Sequence, residues 1–415
     1  MQFSKFGTRF AAHDGARELM DDLGEAMASD ADVMMLGGGN PALIPAVMDR
    51  ISASLRSVLA NPRELRRMLA DYSGPAGEER FRTALARLFA DRYGWNITAD
   101  NIALTGGSQT GFFQLFNLLA GEFEDGSHRR ILLPLTPEYL GYPVVGIGVD
   151  QFVSYKPKIE YLDDRLFKYH IDFDSLAIDA SIAAICVSRP TNPTGNVLTM
   201  QELQKLQELA KTNDIPLIVD NAYGVPFPQI VFGDAELLWD DNTILCMSLS
   251  KIGLPAVRTG IIIASERIVD AVAGMNAAMS LSVSSVGPVL MRELVETGEI
   301  ITLSEEVIRP FYQERMNNTL SAVRESLNGV EYFIHRPEGA FFLWLWFPEL
   351  GITSQKLYEE LKSRGVYVLS GHHFFPGLHE DWSHRDQCIR ISYAQDSDNV
   401  QRAIGIIADV IRQFS

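Results

Sequence analysis

The sequence predicts an α/β fold in which a mostly parallel sheet is covered by helices and joined to a smaller α+β domain. Two observations lead to this class. Between residues 100 and 265, short apolar runs rich in β-forming residues alternate with amphipathic helical stretches, as in successive βαβ units. Beyond that region, a long helical stretch is followed by isolated strands between helices, which is typical of an α+β unit.

The strands predicted for the large sheet are short runs of residues that proteins usually bury. They lie at 102–104, 130–133, 182–187, 217–219, 243–247 and 260–264. Helical periodicity occurs between them at 111–120 and 200–213. Ligands bind such sheets at the carboxyl ends of the strands. Residues that directly follow each run are therefore candidate site residues.

The remaining elements predict how the chain divides into domains. Helices are predicted at 45–70, 288–328, 354–364 and 398–413, and strands at 339–347 and 388–393. We predict a large domain over 46–309. A small domain over 310–415 is completed by the segment 1–45.

Charge and hydropathy exclude several classes of partner. Lys and Arg number 36 against 53 Asp and Glu, a net charge of −17, and such a field repels nucleic-acid phosphates and anionic membranes. No apolar run approaches the roughly 20 residues of a membrane helix. The first ten residues lack the apolar stretch of a signal peptide. We expect a cytoplasmic protein that binds neither nucleic acid nor membrane.

The cysteines and histidines do not predict a metal site. Cys186, Cys246 and Cys388 are scattered, with no C-x-x-C spacing, which indicates three reduced thiols. The adjacent pair His372-His373 points in different directions on any regular element. No carboxylate stands at ligand spacing beside that pair.

A lysine stands at the end of the apolar strand predicted at 243–247. Lysines at strand ends are ordinarily solvated loop charges, but Lys251 lies among apolar residues and has Arg258 seven positions later. Desolvation lowers an amine's pKa and makes it nucleophilic toward a carbonyl. The hydroxyls of Ser248 and Ser250 and the guanidinium suit a phosphate monoester.

Asp220 and Tyr223 follow the strand predicted at 217–219. A carboxylate at this position is often only a helix cap. It is also the side chain that pairs with the pyridinium nitrogen of pyridoxal phosphate. The Tyr223 phenol could donate to the oxygen on the same ring.

Two further loops carry polar residues at the same edge of the sheet. In SRPTNPTG the prolines and glycine explain the turn, but the turn does not require Asn192. TGGSQTG opens a helix after the strand at 102–104, where backbone N–H groups and the helix dipole suit a phosphate. Glycine-rich turns of this kind are common, so TGGSQTG by itself is weak evidence for a phosphate site.

Five loops thus offer a lysine, an aspartate, a tyrosine, an asparagine and a phosphate cradle at one sheet edge. In these residues, and in the segments that contain them, the chain resembles the fold-type I, class I/II aminotransferases from end to end. The segments are MQFSKFG, MLGGGNPA, DYSGPAG, LTGGSQ, PEYLGY, CVSRPTNPTGNV, DNAYGVPFP, CMSLSKIGLP, RPEGAFFLWLWF and GHHFFPGL. The resemblance implies a fold-type I transferase dimer that binds pyridoxal 5′-phosphate, amino acids and 2-oxo acids.

The resemblance also implies roles for residues around the cofactor. Lys251 would be the Schiff-base lysine, Asp220 the partner of the pyridinium nitrogen, and Tyr139 the ring that stacks on the pyridine. Asn192 and Tyr223 would hydrogen-bond the ring oxygen. The remaining cofactor positions fall on Gly107, Ser108, Gln109, Ser248, Ser250 and Arg258.

Further positions concern the substrate and the dimer. Arg390 matches the arginine that grips the substrate's α-carboxylate, where Asn192 also contributes, and Gly38 and Gly39 fall in the loop that closes over the substrate. Tyr72 matches a tyrosine that reaches the neighbouring subunit's phosphate. One departure concerns the arginine after the lysine. The family signature places it eight residues on without a proline, whereas here the step is seven and Pro255 intervenes.

The activity implied is ping-pong transamination between valine and pyruvate, giving 3-methyl-2-oxobutanoate and L-alanine. Lys251 would move the proton between the substrate's Cα and the cofactor. An acidic substrate would need a second buried cation. Apart from Lys251, Arg258 and Arg390, only Arg189 lies in a site motif. We expect Arg189 to be a structural ion-pair partner, so the pocket should favour small or branched apolar side chains.

Three alternatives remain open at this stage. GGGNPA matches the dinucleotide fingerprint G-x-G-x-x-A, but 45–70 reads as helix where a second strand is required. A decarboxylase, β-lyase or synthase would keep the cofactor, and a double half-reaction separates it from an aminotransferase. An effector domain of a transcription regulator would need a helix-turn-helix module ahead of the fold.

Overall fold

The computed structural model describes residues 2–11, Gly24 and 33–414, and its central feature is a mixed sheet of eight strands. The strands are β2 (Ile102–Thr105), β3 (Gly121–Glu122), β4 (His128–Leu133), β5 (Phe152–Ser154), β8 (Ile182–Ser188), β9 (Leu217–Asp220), β10 (Thr243–Ser248) and β11 (Gly260–Ile263). Their order is β2-β11-β10-β9-β8-β4-β3, with β5 also paired to β4. The strands β10, β9, β8, β4 and β5 are parallel, whereas β11 is antiparallel to both neighbours. Every strand predicted for this sheet is present.

Helices cover this sheet, which explains why its central strands are buried throughout. All seven residues of β8 and all four of β9 are buried. The covering helices include α5 (Ser108–Leu119), α7 (Met200–Thr212) and α8 (Glu266–Ser280). Helix α7 begins with a capping box between Thr199 and Glu202, which satisfies backbone donors of its first turn.

A second sheet is built mostly from the C-terminal part of the chain. Its strands are β6 (Lys158–Tyr161), β7 (Leu166–His170), β12 (Phe333–His335), β13 (Phe342–Trp346), β15 (Leu369–Ser370) and β16 (Cys388–Ser392), in the order β15-β16-β13-β12-β7-β6. The hairpin β6–β7 belongs to 46–309 in sequence, yet β7 pairs with β12. The division at 46–309 stays a prediction.

The N-terminal segment meets the C-terminal part through a short parallel pair. Strand β1 (Met34–Met35) pairs with β14 (Val366–Tyr367). The other helices are α1 (Lys5–Phe10), α2 (Pro45–Ala60), α3 (Pro62–Leu69), α4 (Glu79–Tyr93), α6 (Tyr142–Val145), α9 (Val286–Glu296), α10 (Glu299–Leu303), α11 (Arg309–Ser326), α12 (Ser354–Ser363) and α13 (Ser397–Phe414).

The helix predicted at 45–70 is two helices. Asn61 adopts an extended backbone between them, and its side chain accepts hydrogen bonds from the N–H groups of Arg63 and Glu64. A residue before proline disfavours the helical region, and an asparagine side chain caps the next helix. The break therefore follows from the pair Asn61-Pro62.

The three cysteines are free and buried. Among the residues that the structure describes, no helix combines the length and apolarity needed to cross a membrane. The cytoplasmic location stays a prediction.

Candidate active site

A cavity of about 290 Å³ opens at the carboxyl ends of β8, β9 and β10. It brings together most of the residues that the sequence singled out. They are Gly39, Ser108, Gln109, Tyr139, Asn192, Asp220, Tyr223, Ser250, Lys251, Arg258 and Arg390. The loops that carry these residues are separated by up to 351 positions in sequence, from Gly39 to Arg390.

Four predicted site residues do not line the cavity. The Ser248 side chain lies beneath it and accepts a hydrogen bond from the backbone N–H of Ser250, at 3.3 Å. Gly107 lies behind Arg258, and Gly38 stands in the loop next to Gly39. Tyr72 is 82% exposed on the surface of the chain, so its predicted role depends on a second subunit.

Lys251 lies in a short 3₁₀ turn, Ser250–Ile252, directly after β10. Its Nζ donates a hydrogen bond to the carbonyl oxygen of Gly39 at 2.7 Å and lies 5.4 Å from the centroid of the Tyr223 ring. Burial, assisted by the positive charge of Arg390, lowers the pKa of Lys251 to about 8. A useful fraction of the amine is therefore neutral, and nucleophilic, near neutral pH.

Asp220 is the last residue of β9, and its carboxylate is held from two sides. The Tyr142 hydroxyl donates to Oδ2 at 2.9 Å, and the backbone N–H of Ala222 donates to Oδ1 at 3.1 Å. Burial raises the pKa of Asp220 to about 6, so the carboxylate is ionised above that pH. Tyr142 was not predicted from the sequence, although PEYLGY shows a second tyrosine three residues after Tyr139.

Arg390 lies in β16 and reaches the same cavity from the second sheet. Its Nη1 donates to Oδ1 of Asn192 and its Nη2 to the carbonyl oxygen of Gly37, each at 2.6 Å. Its Nε is buried without a hydrogen-bond partner among the described residues. Burial lowers the pKa of Arg390 to about 10, which leaves it protonated at neutral pH. It is a buried cation with donor capacity for an anionic ligand.

The N-terminus of α5 and Arg258 form one end of the cavity. Gly107 precedes this helix with a φ of +96°, and a Cβ at Gly107 would lie 2.1 Å from Nη2 of Arg258. Only glycine therefore lets the guanidinium lie against the helix end. The turn Pro255–Val257 and the left-handed backbone of Arg258 bring this side chain to the cavity despite the shorter spacing from Lys251.

The loop after β4 forms another wall and carries Tyr139. The Gln109 amide donates to the carbonyl oxygen of Gly141 at 3.0 Å, and a Cβ at Gly141 would lie 2.3 Å from the Tyr139 ring. Glu138, which was not predicted as a site residue, accepts hydrogen bonds from the N–H and the hydroxyl of Ser188 at 2.8 and 2.5 Å. Glu138 thus ties this loop to the end of β8. The sequence signal for Glu138 is an acidic residue three positions after the apolar run ILLPL.

The ion-pair role predicted for Arg189 is wrong for the part of the chain described. Its Nε and Nη1 donate to the carbonyl oxygens of Leu198 and Glu236, and its Nη2 lies 3.4 Å from the Met200 sulfur. Arg189 does not line the active-site cavity, whereas Pro190 and Asn192 of the same loop do.

A lysine of lowered pKa, a buried carboxylate and a guanidinium at a helix end define a lysine-based enzyme site on an α/β fold. The chain belongs to the class I and II aminotransferases, whose family model matches residues 31–407. The predicted family and the predicted α/β fold of that family are confirmed.

Three known proteins are similar over nearly their whole length. The chain is 47% identical over 413 residues to valine–pyruvate aminotransferase of Escherichia coli (strain K12), covering 100% of this chain and 99% of that one. The crystal structure of valine-pyruvate aminotransferase from Salmonella typhimurium LT2 is 47% identical, with a TM-score of 0.89 over 96% of this chain and 99% of that one. A Psychrobacter arcticum 273-4 structure is 45% identical, with a TM-score of 0.97 over 100% and 99% of the two chains.

Proposed function

We propose that this chain is a pyridoxal-phosphate-dependent aminotransferase that moves an amino group between valine and pyruvate. The observation that carries the proposal is that Lys251, Asp220 and Arg390 meet at one cavity. The substrate pair rests on the full-length similarity to a valine–pyruvate aminotransferase. Valine and pyruvate would give 3-methyl-2-oxobutanoate and L-alanine.

The residues present fit pyridoxal phosphate. The Arg258 guanidinium lies directly against Gly107, where an added Cβ would collide with it, and this guanidinium next to the N-terminus of α5 suits the phosphate. Asp220 would hold the proton of the ring nitrogen, and Tyr139 would pack on the ring. Asn192 and Tyr223 would reach its oxygen. When bound, the cofactor supplies a carbonyl for the amino group and a ring that withdraws electrons from the reacting carbon.

Lys251 supplies both the attachment point and the proton transfer. Its lowered pKa allows the neutral amine to attack a carbonyl. Once released, the same amine can take the proton from the substrate's Cα and deliver it to the cofactor. The hydrogen bond to Gly39 connects the amine to the loop that is predicted to close over the substrate. The amine is thus held next to the proposed substrate position.

The cavity lining supports a small apolar substrate side chain. Arg390, whose Nε has no hydrogen-bond partner in the described part of the chain, would hold the α-carboxylate common to all substrates. Within the described residues, the cations that line the cavity are Lys251, Arg258 and Arg390, and each already has a role. Leu140 and Leu369 add apolar surface. Among the residues that the structure describes, no lining cation remains for the second carboxylate of aspartate or glutamate.

The proposed function is tested by a double half-reaction on the purified holoenzyme. L-Valine alone should bleach the yellow cofactor and release 3-methyl-2-oxobutanoate, and pyruvate added afterwards should restore the colour and release L-alanine. L-Alanine and 2-aminobutyrate should also react, since one methylene changes binding by only about 1–3 kcal/mol. Bleaching by aspartate but not by valine would contradict the substrate pair. Release of CO₂ or loss of a β-substituent would indicate another reaction of the same cofactor.

Changing Arg390 to lysine should raise KM for every amino and oxo acid alike. A point ammonium cannot replace the parallel hydrogen bonds of a guanidinium, and losing a charged hydrogen bond corresponds to an increase of about tenfold or more. Steady-state kinetics with valine, alanine and pyruvate provide the measurement, and Arg385→Lys in a surface turn is the matched control. An effect confined to one substrate side-chain class would remove Arg390 from the carboxylate role.

The proposed enzyme is a homodimer in which Tyr72 completes the partner's phosphate site. Large apolar side chains are exposed near Tyr72, where the Ser73 hydroxyl contacts the carbonyl oxygen of Val283 at 3.3 Å. The exposed fractions are 65% for Leu69, 82% for Tyr72 and 62% for Leu281. Clustered exposed apolar residues are typical of a subunit interface.

Sedimentation should therefore give a mass of two chains at assay concentrations. Tyr72→Phe should keep the dimer but weaken pyridoxal-phosphate binding, because only the hydroxyl that would reach the phosphate is removed. Equilibrium binding of the cofactor to the two proteins measures this effect. A fully active species with the mass of one chain would contradict the dimeric site.

A further inference from the structure

The glycine loop, residues 37–43, joins β1 to α2 and forms one wall of the active-site cavity. Gly37, Gly39 and Asn40 line that cavity, and Gly39 and Asn40 are also exposed to solvent. The N-terminal end of the loop is fixed to the second sheet, because the backbone N–H of Ser392 donates to the carbonyl oxygen of Leu36 at 2.7 Å. The position of the rest of the loop depends on contacts with side chains.

In the described part of the chain, three side chains form hydrogen bonds with the backbone of the glycine loop. Nη2 of Arg390 donates to the carbonyl oxygen of Gly37 at 2.6 Å. Nζ of Lys251 donates to the carbonyl oxygen of Gly39 at 2.7 Å. At the other end of the loop, the hydroxyl oxygen of Tyr312 accepts from the backbone N–H of Ala42 at 2.8 Å.

Two of these three hydrogen bonds come from cations that the proposed reaction uses for other contacts. Lys251 would attach the cofactor through Nζ, so its contact with Gly39 cannot persist unchanged. Arg390 would be drawn toward the substrate's α-carboxylate. Tyr312 does not line the cavity and has no part in either step. Its hydrogen bond to the loop can therefore persist while the other two change.

The side chain of Tyr312 is itself held firmly in place. It lies in the first turn of α11, is only 1% exposed, and stacks on the ring of Phe341 with centroids 5.3 Å apart and planes at 25°. Phe341 in turn contacts the ring of Tyr223 edge-on at 5.2 Å. Burial raises the pKa of Tyr312 to about 12, so its hydroxyl stays neutral at ordinary assay pH. The hydroxyl is thus a fixed hydrogen-bond acceptor for the loop.

We propose that Tyr312 is a positioning residue whose hydroxyl fixes the glycine loop at Ala42, so that Gly37 keeps Arg390 oriented toward the substrate's carboxylate. Tyr312 acts through the loop and does not touch the substrate. The role rests on the proposed function, because it concerns the carboxylate that Arg390 would bind. It does not depend on the choice of valine, since every amino acid and 2-oxo acid carries this carboxylate.

Tyr312→Phe removes only the hydroxyl and keeps the ring that stacks on Phe341, so the variant should fold normally. Tyr393→Phe is the matched control. Tyr393 is likewise 1% exposed, and its hydroxyl donates to the carbonyl oxygen of Ala340 at 3.0 Å, outside the glycine loop. Each variant therefore loses one buried tyrosine hydroxyl and one hydrogen bond to the backbone, but only Tyr312→Phe loses a contact with the loop.

The test combines hydrogen exchange with steady-state kinetics. In purified holoenzyme without substrate, the backbone amides of the glycine loop, Ala42 above all, should exchange about three- to tenfold faster in Tyr312→Phe than in wild type, as expected for the loss of one hydrogen bond. In kinetics, Tyr312→Phe should raise KM for valine and for pyruvate by about three- to tenfold and leave kcat within about twofold. Tyr393→Phe should change neither the exchange of this loop nor KM.

Three results would overturn the inference. They are unchanged exchange of the glycine loop in Tyr312→Phe, equal increases of KM in the two tyrosine variants, and a fall of kcat with KM unchanged. The hydrogen-exchange measurement needs no substrate and no turnover. If wild-type enzyme fails to transaminate valine, the proposed function fails, whereas the exchange of the loop still decides whether Tyr312 holds it in place.

Discussion

Lys251→Ala is expected to lower the rate of transamination by at least about 10⁴-fold, because one amine is lost from both the covalent attachment and the proton transfer. The variant should still bind pyridoxal phosphate, since the groups proposed for the phosphate and the ring, including Arg258 and Asp220, are untouched. Single-turnover assays with valine and fluorescence titration with the cofactor measure the two effects separately.

The control for this variant is Lys211→Ala. Lys211 lies in the last turn of α7 and forms an exposed ion pair with Asp240 at 2.6 Å, so its loss should leave the rate unchanged. A Lys251→Ala enzyme with wild-type turnover would contradict the proposed mechanism. Loss of both turnover and cofactor binding would mean that the other contacts alone cannot hold the cofactor.

Asp220→Ala should bind the cofactor more weakly and lose most of its rate, about a thousandfold, which corresponds to roughly 4 kcal/mol of activation free energy. Without the carboxylate, the ring nitrogen has no group to keep its proton, and an unprotonated pyridine withdraws electrons poorly. The rate of cofactor bleaching by valine and the dissociation constant of the cofactor are the quantities to measure.

Asp220→Asn separates charge from packing in this test. The alanine variant also leaves the Tyr142 hydroxyl, which donates to Asp220 at 2.9 Å, without its acceptor, and this costs about 1–3 kcal/mol of stability. An amide keeps an oxygen for Tyr142 but carries no charge. The rate should therefore fall in both variants, whereas thermal stability should fall mainly in Asp220→Ala. A near-normal rate in both would reduce Asp220 to a structural residue.

The strands of the central sheet could be predicted because each is a compact apolar run buried on both faces. Strand β8, for example, is buried at every residue, and its sequence shows no competing pattern. The hairpin β6–β7 could not be predicted in the same way. Most of β6 is exposed, and the pairing of β7 with β12 joins residues 168 positions apart in sequence (Leu166 with Ile334).

Site residues that directly follow a strand could be predicted. Residues whose role depends on a contact between two different loops could not. Asp220 and Lys251 stand at strand ends, so their positions alone bring them to one edge of the sheet. Tyr142 and Glu138 act through hydrogen bonds to Asp220 and Ser188, and no sequence spacing encodes those contacts. Arg189 was misjudged for the same reason, since one of its acceptors is the carbonyl of a residue 47 positions away.

In the proposed mechanism, Lys251 carries the cofactor of an aminotransferase. Borohydride reduction of the yellow holoenzyme, followed by proteolysis and mass-spectrometric mapping, tests this attachment, because reduction fixes the cofactor on the amine to which it is joined. We expect one labelled peptide, containing Ser248 to Arg258, with the cofactor on Lys251 and no label after prior treatment with valine. A label on any other lysine, or a protein that purifies without a reducible cofactor and takes none up, would contradict it.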